Sequence, residues 1–275
     1  MLVLLLVNVL ILIAVYYPNN FMNLKVIIPC HLDSVRLEKK VLININGLPM
    51  VEHVRRRAML SNKVDSVFIA TGDKEIKNII ENYGGKVIFT KNTHHNGTSR
   101  AAEAISQIDC THVVVIQGDE PLLIPEYLDI FIKNIIKSKD HLMWNAISKI
   151  DSNQAYDDLS IVKCLINNKD EIISCFRKSP ISNLDLNYNN LIYKIQGLIA
   201  YEKRFLMKLV ENKDTLFSKI ESIEQMKAIE NGAIVKSVLL PGSLQSVNTK
   251  GELEQVQEIL NKNTIQQNIF NKINY

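Results

Sequence analysis

The sequence predicts an α/β protein built on a mainly parallel, doubly wound sheet. Three observations predict it. Short apolar runs bounded by turn residues recur along the chain, as buried strands do. Helical patterns separate these runs, at the spacing of β-α-β units. The run Val113 to Ile116 ends abruptly in Gln117-Gly118-Asp119-Glu120-Pro121, a polar turn with two adjacent acids. In open α/β sheets ligands sit outside the carboxyl ends of the strands, so Asp119 stands where a ligand is met. Gly118 lets the backbone approach closely, and Pro121 stops the strand from continuing. A carboxylate there, with no basic neighbour in sequence, suits Mg²⁺, a hard cation that bridges to substrate phosphates. A solvated turn acid fits the same residues equally well.

The elements follow in order. Lys25-Val26-Ile27-Ile28-Pro29 is a buried first strand. The polar loop after it, residues 30–40, carries Arg36, Lys39 and Lys40, and cations gathered at a strand end can hold a triphosphate. It lacks the glycine spacing of a Walker loop, so a solvated basic loop is the alternative. Val41 to Ile45 leads through Asn46-Gly47-Leu48-Pro49 into a helix over 50–60, with proline near its start. A second strand, 65–71, turns at Gly72-Asp73 into a helix over 74–83 that Gly84-Gly85 ends. Residues 86–90 form a third strand. Thr98 is expected to cap a helix over 99–108. The fourth strand is the one that ends at Gln117, and a helix over 126–137 follows it. The pattern then changes. Strands are expected over 142–148, 161–167, 171–176 and 193–201, a loop over 182–190, helices over 202–211 and 219–231, a strand over 233–239 and a last helix over 250–260. Residues 142–232 read as an inserted lobe, 22–262 as the domain and 263–275 as a polar tail. No repeat is visible.

Composition narrows the classes. With 32 Lys and Arg against 29 Asp and Glu in 275 residues, the net charge is +3 and gives no case for a nucleic-acid surface. The one basic run, Arg55-Arg56-Arg57, falls in a helical pattern and reads as a solvated helix face. Cys30, Cys110, Cys164 and Cys175 have neither zinc-site nor disulfide-framework spacing, which fits a reduced compartment. His94 and His95 are adjacent in a loop with no third ligand nearby, so polar or ligand contacts are favoured over zinc. Residues 1–17 are apolar except Asn8. They are slightly short for a spanning helix and lack the basic start and cleavage site of a signal peptide. Residues 1–21 are expected to be a dispensable extension, with Met22 as the working start. The location is then cytoplasmic, and a membrane tether is the alternative.

Five pieces in unbroken order now carry a resemblance. They are the Ile-Ile-Pro strand end with Ser34, Arg36, Leu37 and Lys40; Ile45-Asn46-Gly47 with Pro49-Met50; His94, Gly97, Thr98 and Arg100; Gln117 to Pro121; and Ile220-Glu221-Ser222-Ile223-Glu224-Gln225. From about Lys25 to about Leu260 the chain resembles the 3-deoxy-manno-octulosonate cytidylyltransferases, or CMP-Kdo synthetases. The resemblance implies a Rossmann-like nucleotide-diphospho-sugar transferase fold with a mixed, mainly parallel sheet and a smaller lobe used in homodimerisation. It implies CMP transfer from CTP to Kdo with release of pyrophosphate, for lipopolysaccharide and other cell-surface glycans. Ser34, Arg36 and Lys40 would hold the triphosphate, and His94, Gly97, Thr98 and Arg100 the nucleotide side. Asp119 would bind Mg²⁺, and Lys40, Arg36 and Asp119 would carry the chemistry. Gln117, Glu224 and Gln225 would meet the sugar, with Arg177 from the inserted lobe.

The chain departs from that family at the sugar and metal. Asn248 stands where the family has an aspartate that completes the metal site; an amide oxygen still ligates but brings no charge. Ile195 stands where the family has a sugar-side histidine, and His31 where arginine is usual. Two further readings follow. One is the same chemistry on a related 2-keto-3-deoxy sugar acid such as 8-amino-Kdo. The other is a nucleotide-binding relative that has lost turnover.

Overall fold

The computed structural model describes residues 22–34, 36–150, 156–180 and 192–274. The apolar run 1–17 and the loop expected over 182–190 lie outside the described residues. Among the described residues no helix is long and apolar enough to cross a membrane.

Eleven strands and nine α-helices are described. The strands are β1 (Leu24–Pro29), β2 (Asn44–Ile45), β3 (Leu48–Pro49), β4 (Val67–Thr71), β5 (Lys86–Phe89), β6 (His112–Ile116), β7 (Met143–Ser148), β8 (Lys163–Ile166), β9 (Glu171–Phe176), β10 (Ile192–Glu202) and β11 (Val235–Leu239). The helices are α1 (Met50–Met59), α2 (Lys74–Asn82), α3 (Gly97–Ser106), α4 (Pro125–Lys137), α5 (Lys203–Glu211), α6 (Leu216–Glu221), α7 (Glu224–Glu230), α8 (Lys250–Lys262) and α9 (Thr264–Ile273). Nine strands form one sheet in the order β5-β4-β1-β6-β10-β7-β11-β9-β8. β1 lies parallel to β4 and β6, β4 to β5 and β7 to β11, while β10 runs antiparallel between β6 and β7. β1 and β6 are neighbours and point the same way, so the 30–40 loop and Asp119 emerge side by side at their carboxyl ends.

Alternation along the strands fills both faces of the sheet. Val26, Ile28, Val114 and Ile116 pack with α1, α2 and α4 on one face. Ile27, Val113 and Val115 pack with α3, α5 and α7 on the other. This is the expected doubly wound α/β class. The four cysteines are buried and free.

Several expectations need correction. Within the stretch 142–232, β7 and β10 lie inside the nine-stranded sheet. β8 and β9 end the same sheet, and β8 pairs with both β9 and β10, so β10, β7, β11, β9 and β8 form a closed circuit of pairings. The helix expected over 219–231 is two helices. Ser222, with φ 54° and ψ 48°, is left-handed and ends α6 before α7 begins. The polar tail is largely helix: α9 buries Gln266, Ile269 and Ile273.

The Arg55-Arg56-Arg57 run is not a solvated face. Glu52, fully buried, accepts from Arg55 at 2.5 Å and from Arg56 at 2.6 Å. Arg57, also fully buried, donates to Gln266 Oε1 of α9 at 2.6 Å and to the Leu123 carbonyl at 3.2 Å. Gln266 Nε2 in turn donates to the Leu122 carbonyl at 3.0 Å. The last helix is therefore latched to the segment just past Pro121.

Candidate active site

Three segments distant in sequence meet at the end of β6. The loop after β1 brings Arg36 and Lys40, the turn after β6 brings Asp119, and the segment before α8 brings Asn248. Lys40 Nζ donates to Asp119 Oδ2 at 2.6 Å and to Asn248 Oδ1 at 3.0 Å. Arg36 Nη2 donates to the same Asn248 oxygen at 3.1 Å.

Each segment is locally fixed. The Leu32 amide donates to Asp73 Oδ2 at 3.0 Å, which ties the first loop to the turn after β4. Lys39 is left-handed, φ 47°, immediately before a 3-10 turn at Lys40–Leu42. The Val247 amide donates to the Asp119 carbonyl at 2.9 Å. Glu252 of the α8 capping box accepts from the amides of Asn248, at 2.7 Å, and Thr249, at 2.8 Å. Such a box satisfies helix-start N–H groups, and here it also holds Asn248. Gly118 is needed for closeness: a Cβ there would lie 2.8 Å from Cys30 Sγ.

Two cavities share Gln117, two residues before Asp119, and Asn248 lines the larger of them. The smaller, about 260 Å³, is lined by Pro29, His31, Asp33, His94, His95, Asn96, Gly97, Arg100 and Gln117. Arg100 is nearly fully buried and braced by Thr90 Oγ1 at 2.8 Å and the Lys91 carbonyl at 3.2 Å. Burial lowers its pKa. The other cavity, about 480 Å³, includes Gln117, Glu120, Lys194, Ile195, Gln196, Gln225 and Asn248 in its lining. Gln225 is held there by donating to Asn145 Oδ1 at 2.8 Å.

The expected residues do not all gather. Asn96, not Thr98, caps α3, accepting from the Ser99 amide at 2.9 Å. Thr98 instead donates to Glu224 in a short hydrogen bond. Burial raises the Glu224 pKa. Both residues line a third cavity of about 620 Å³, between the 93–99 loop and α5 to α7. That cavity includes none of Lys40, Asp119 and Asn248, so Glu224 opens away from the cluster while its neighbour Gln225 opens towards it. Arg177 is a backbone clamp. It donates to the carbonyls of Glu221 at 2.8 Å, Leu159 at 3.1 Å, Ser160 at 3.3 Å and Ser222 at 3.4 Å. Ser34 is half-buried on the same loop as Arg36.

Glu120 was not foreseen as a site residue. It is 5% exposed, and its Oε1 accepts from the Gly197 amide at 3.0 Å. Its Oε2 has no partner among the described residues. Burial, and then the neighbouring Asp119 charge, push its pKa up to about 8. The adjacency of two acids in the 117–121 turn was the signal that could have found it.

Comparison with known proteins agrees with the geometry. The family model described as Cytidylyltransferase matches residues 25–238. The chain belongs to the cytidylyltransferase family. Within this family its relatives include the 3-deoxy-manno-octulosonate cytidylyltransferase of Geotalea uraniireducens, 31% identical over 88% of this chain and 100% of the relative. That of Fusobacterium nucleatum subsp. nucleatum is 35% identical over 87% of this chain and 97% of the relative. Among solved structures, a CMP:2-keto-3-deoxy-manno-octonic acid synthetase in complex with CTP superposes with a TM-score of 0.82 at 25% identity, covering 87% of this chain and 99% of that one. A cytidylyltransferase is an enzyme of nucleotidyl transfer, and the cluster at the β6 end has the cations and oxygens such chemistry needs.

Proposed function

We propose that this cytidylyltransferase transfers CMP from CTP to 3-deoxy-manno-octulosonate, releasing pyrophosphate and giving CMP-Kdo for cell-surface glycan synthesis. The observation that carries the reading is the convergence of Lys40, Arg36, Asp119 and Asn248, with Asn248 also lining the 480 Å³ cavity. One cavity takes the nucleotide, beside His94, Gly97 and Arg100. The other takes the sugar acid, beside Gln117 and Gln225.

In the reaction the anomeric hydroxyl oxygen of the sugar forms a bond to the α-phosphorus. The bond from that phosphorus to the β-phosphate bridge breaks, and the hydroxyl proton passes to solvent. Lys40 and Arg36 hold the phosphates and meet the negative charge that develops on them. The paired oxygens of Asp119 and Asn248 fit Mg²⁺, which is commonly held by one or two protein oxygens plus substrate phosphates. When bound, the ion supplies positive charge beside the reacting phosphate and lowers the pKa of a coordinated hydroxyl. A homodimer and a cytoplasmic location, where CTP is available, belong to the same proposal.

The test is pyrophosphate release by the full chain with CTP, Mg²⁺ and Kdo, with Asp119→Asn as control. Release that needs Kdo and is lost in the control supports the reading; release unchanged in Asp119→Asn removes it. Ile195, an apolar residue in the lining of the sugar cavity, favours a second reading: a related acid such as 8-amino-Kdo as the better substrate. Comparing kcat/KM for the two acids decides between them. Should neither acid, nor sialic acid, release pyrophosphate while CTP binds, a non-catalytic nucleotide-binding relative is the remaining reading, and the missing charge at Asn248 is its physical basis.

A further inference from the structure

The 480 Å³ cavity has one feature that neither the sequence motifs nor the phosphate cluster uses. Lys194 is the one Lys, Arg or His among the described residues that line it. Its Nζ donates to Ser243 Oγ at 2.9 Å and, at 3.5 Å, to the Leu244 carbonyl. Both acceptors are neutral, and among the described residues Lys194 makes no ion pair of the kind that Lys40 makes with Asp119. An ammonium has three N–H donors, so at least one remains for a ligand, and its charge is not matched by a contacting carboxylate.

The mount is rigid. Gln196, 2% exposed, donates through Nε2 to Ser148 Oγ at 2.9 Å and to Ser243 Oγ at 3.4 Å. Its Oε1 accepts from the Leu244 amide at 2.7 Å. The serine that holds the ammonium is thus itself held, and a preorganised cation binds an anion at lower entropic cost.

Two further observations point to a ligand. Glu120 Oε2, in the same lining, is buried and without a partner among the described residues. A buried polar atom left unmatched costs free energy, and a hydroxyl of a bound sugar, which both donates and accepts, would partner it. The lining also contains Asp158 and Glu252. An anionic substrate entering a cavity with these acids is repelled unless a cation offsets them, and Lys194 is the cation in place. Glu120 sits against Gly197, three residues along β10 from Lys194, and both side chains line the one cavity.

We infer that Lys194, mounted on Ser243, receives the carboxylate of the sugar acid and so carries acid recognition in this chain, where Ile195 beside it offers no hydrogen bond. This rests on the sugar-acid reading of the same cavity given above, and the experiment separates the two.

The experiment uses the full chain as wild type, Lys194→Met and Lys194→Arg, with CTP, Mg²⁺ and two probes: Kdo, and its analogue with the carboxylate reduced to a primary alcohol. CTP titration by calorimetry checks that each variant is folded, and Lys194→Gln replaces Lys194→Met should the latter not fold. The expected result is a KM for Kdo raised at least about tenfold in Lys194→Met with the KM for CTP within about twofold, and partial recovery in Lys194→Arg, since loss of a charged hydrogen bond is worth about that factor. With the reduced analogue, wild type and Lys194→Met should perform equally, a convergence that a merely structural role does not produce. An unchanged KM for Kdo, or a gap between the two proteins that persists with the reduced analogue, overturns the inference and leaves the activity standing. If wild type does not use Kdo, the activity falls, and calorimetric titration with Kdo, 8-amino-Kdo and N-acetylneuraminate judges Lys194 alone. Tighter binding of any of these acids by wild type than by Lys194→Met supports it; equal or absent binding overturns it.

Discussion

Asn248→Asp should convert a weak metal position into a strong one. Asn248 Oδ1 accepts from Lys40 at 3.0 Å and from Arg36 at 3.1 Å, and Lys40 also reaches Asp119 at 2.6 Å. One carboxylate and two cations leave this cluster with a charge of +1, and the variant brings it to zero. Asn248 is only half-buried, so the appropriate screening is close to that of water. One added unit charge about 4 Å from a dication is then worth about 2 kcal/mol, since a unit pair at that distance in water is worth about 1 kcal/mol. That corresponds to roughly thirtyfold in affinity. The assay is calorimetric titration of wild type and variant with Mg²⁺ and with Mn²⁺, each with and without CTP, at fixed ionic strength because exposed charges are screened by salt. Tighter binding of both ions by the variant is expected. Unchanged or weaker binding in a variant of unaltered melting temperature would refute the reasoning, and would mean that Asn248 Oδ1 only anchors Lys40 and Arg36.

Three other outcomes are expected. Gln266→Leu leaves the buried Arg57 guanidinium short of an acceptor and should cost about 3 kcal/mol, lowering Tm by roughly 6–12 °C; a Tm within a degree of wild type would show that α9 is not a structural latch. His53 Nε2 contacts the Ile45 carbonyl at 2.7 Å, its Nδ1 is buried without a partner among the described residues, and burial lowers its pKa from 6.5 to about 4. The unfolded chain therefore takes up a proton that the folded chain refuses. Stability should fall by about 3 kcal/mol as pH drops from 6.5 to 4, with no contribution from this group above 6.5; urea denaturation of wild type and His53→Gln across that range checks it, and parallel curves count against it. Gly118→Ala forces a methyl group onto Cys30 Sγ and should cost about 1–3 kcal/mol of stability. Combining it with Cys30→Ala should recover most of that, as the cycle for two touching residues requires.

Much of this could be read from the chain itself. β1, β4 and β6 were legible because each is a continuous apolar run that ends in a turn. The pairing of Lys40 with Asp119 was implied only by the resemblance; the parallel neighbours β1 and β6, which bring the two together, were not assigned from the sequence. What escaped was decided by long-range contacts. Arg57 looked solvated because its partner, Gln266, lies 209 residues away. α9 looked like a tail because its buried face mixes Gln266 with Ile269 and Ile273. The closed circuit of β7 to β11 depends on β8 meeting the first residues of β10, a register that local pattern does not encode. At the cap of α3, asparagine outcompeted threonine, the usual order at that position. Lys194 was hidden for another reason: a lone lysine in a strand carries no motif.

The separations of 79 and 208 residues between Lys40 and its two oxygen partners bear on how the enzyme comes into being. A ribosome delivers the basic loop early and the second oxygen last. A fragment ending at residue 238, the limit of the family match, lacks Asn248 and the α8 cap that holds it. The contacts of Lys40 are therefore complete only when the segment before α8 has been made, near the end of synthesis.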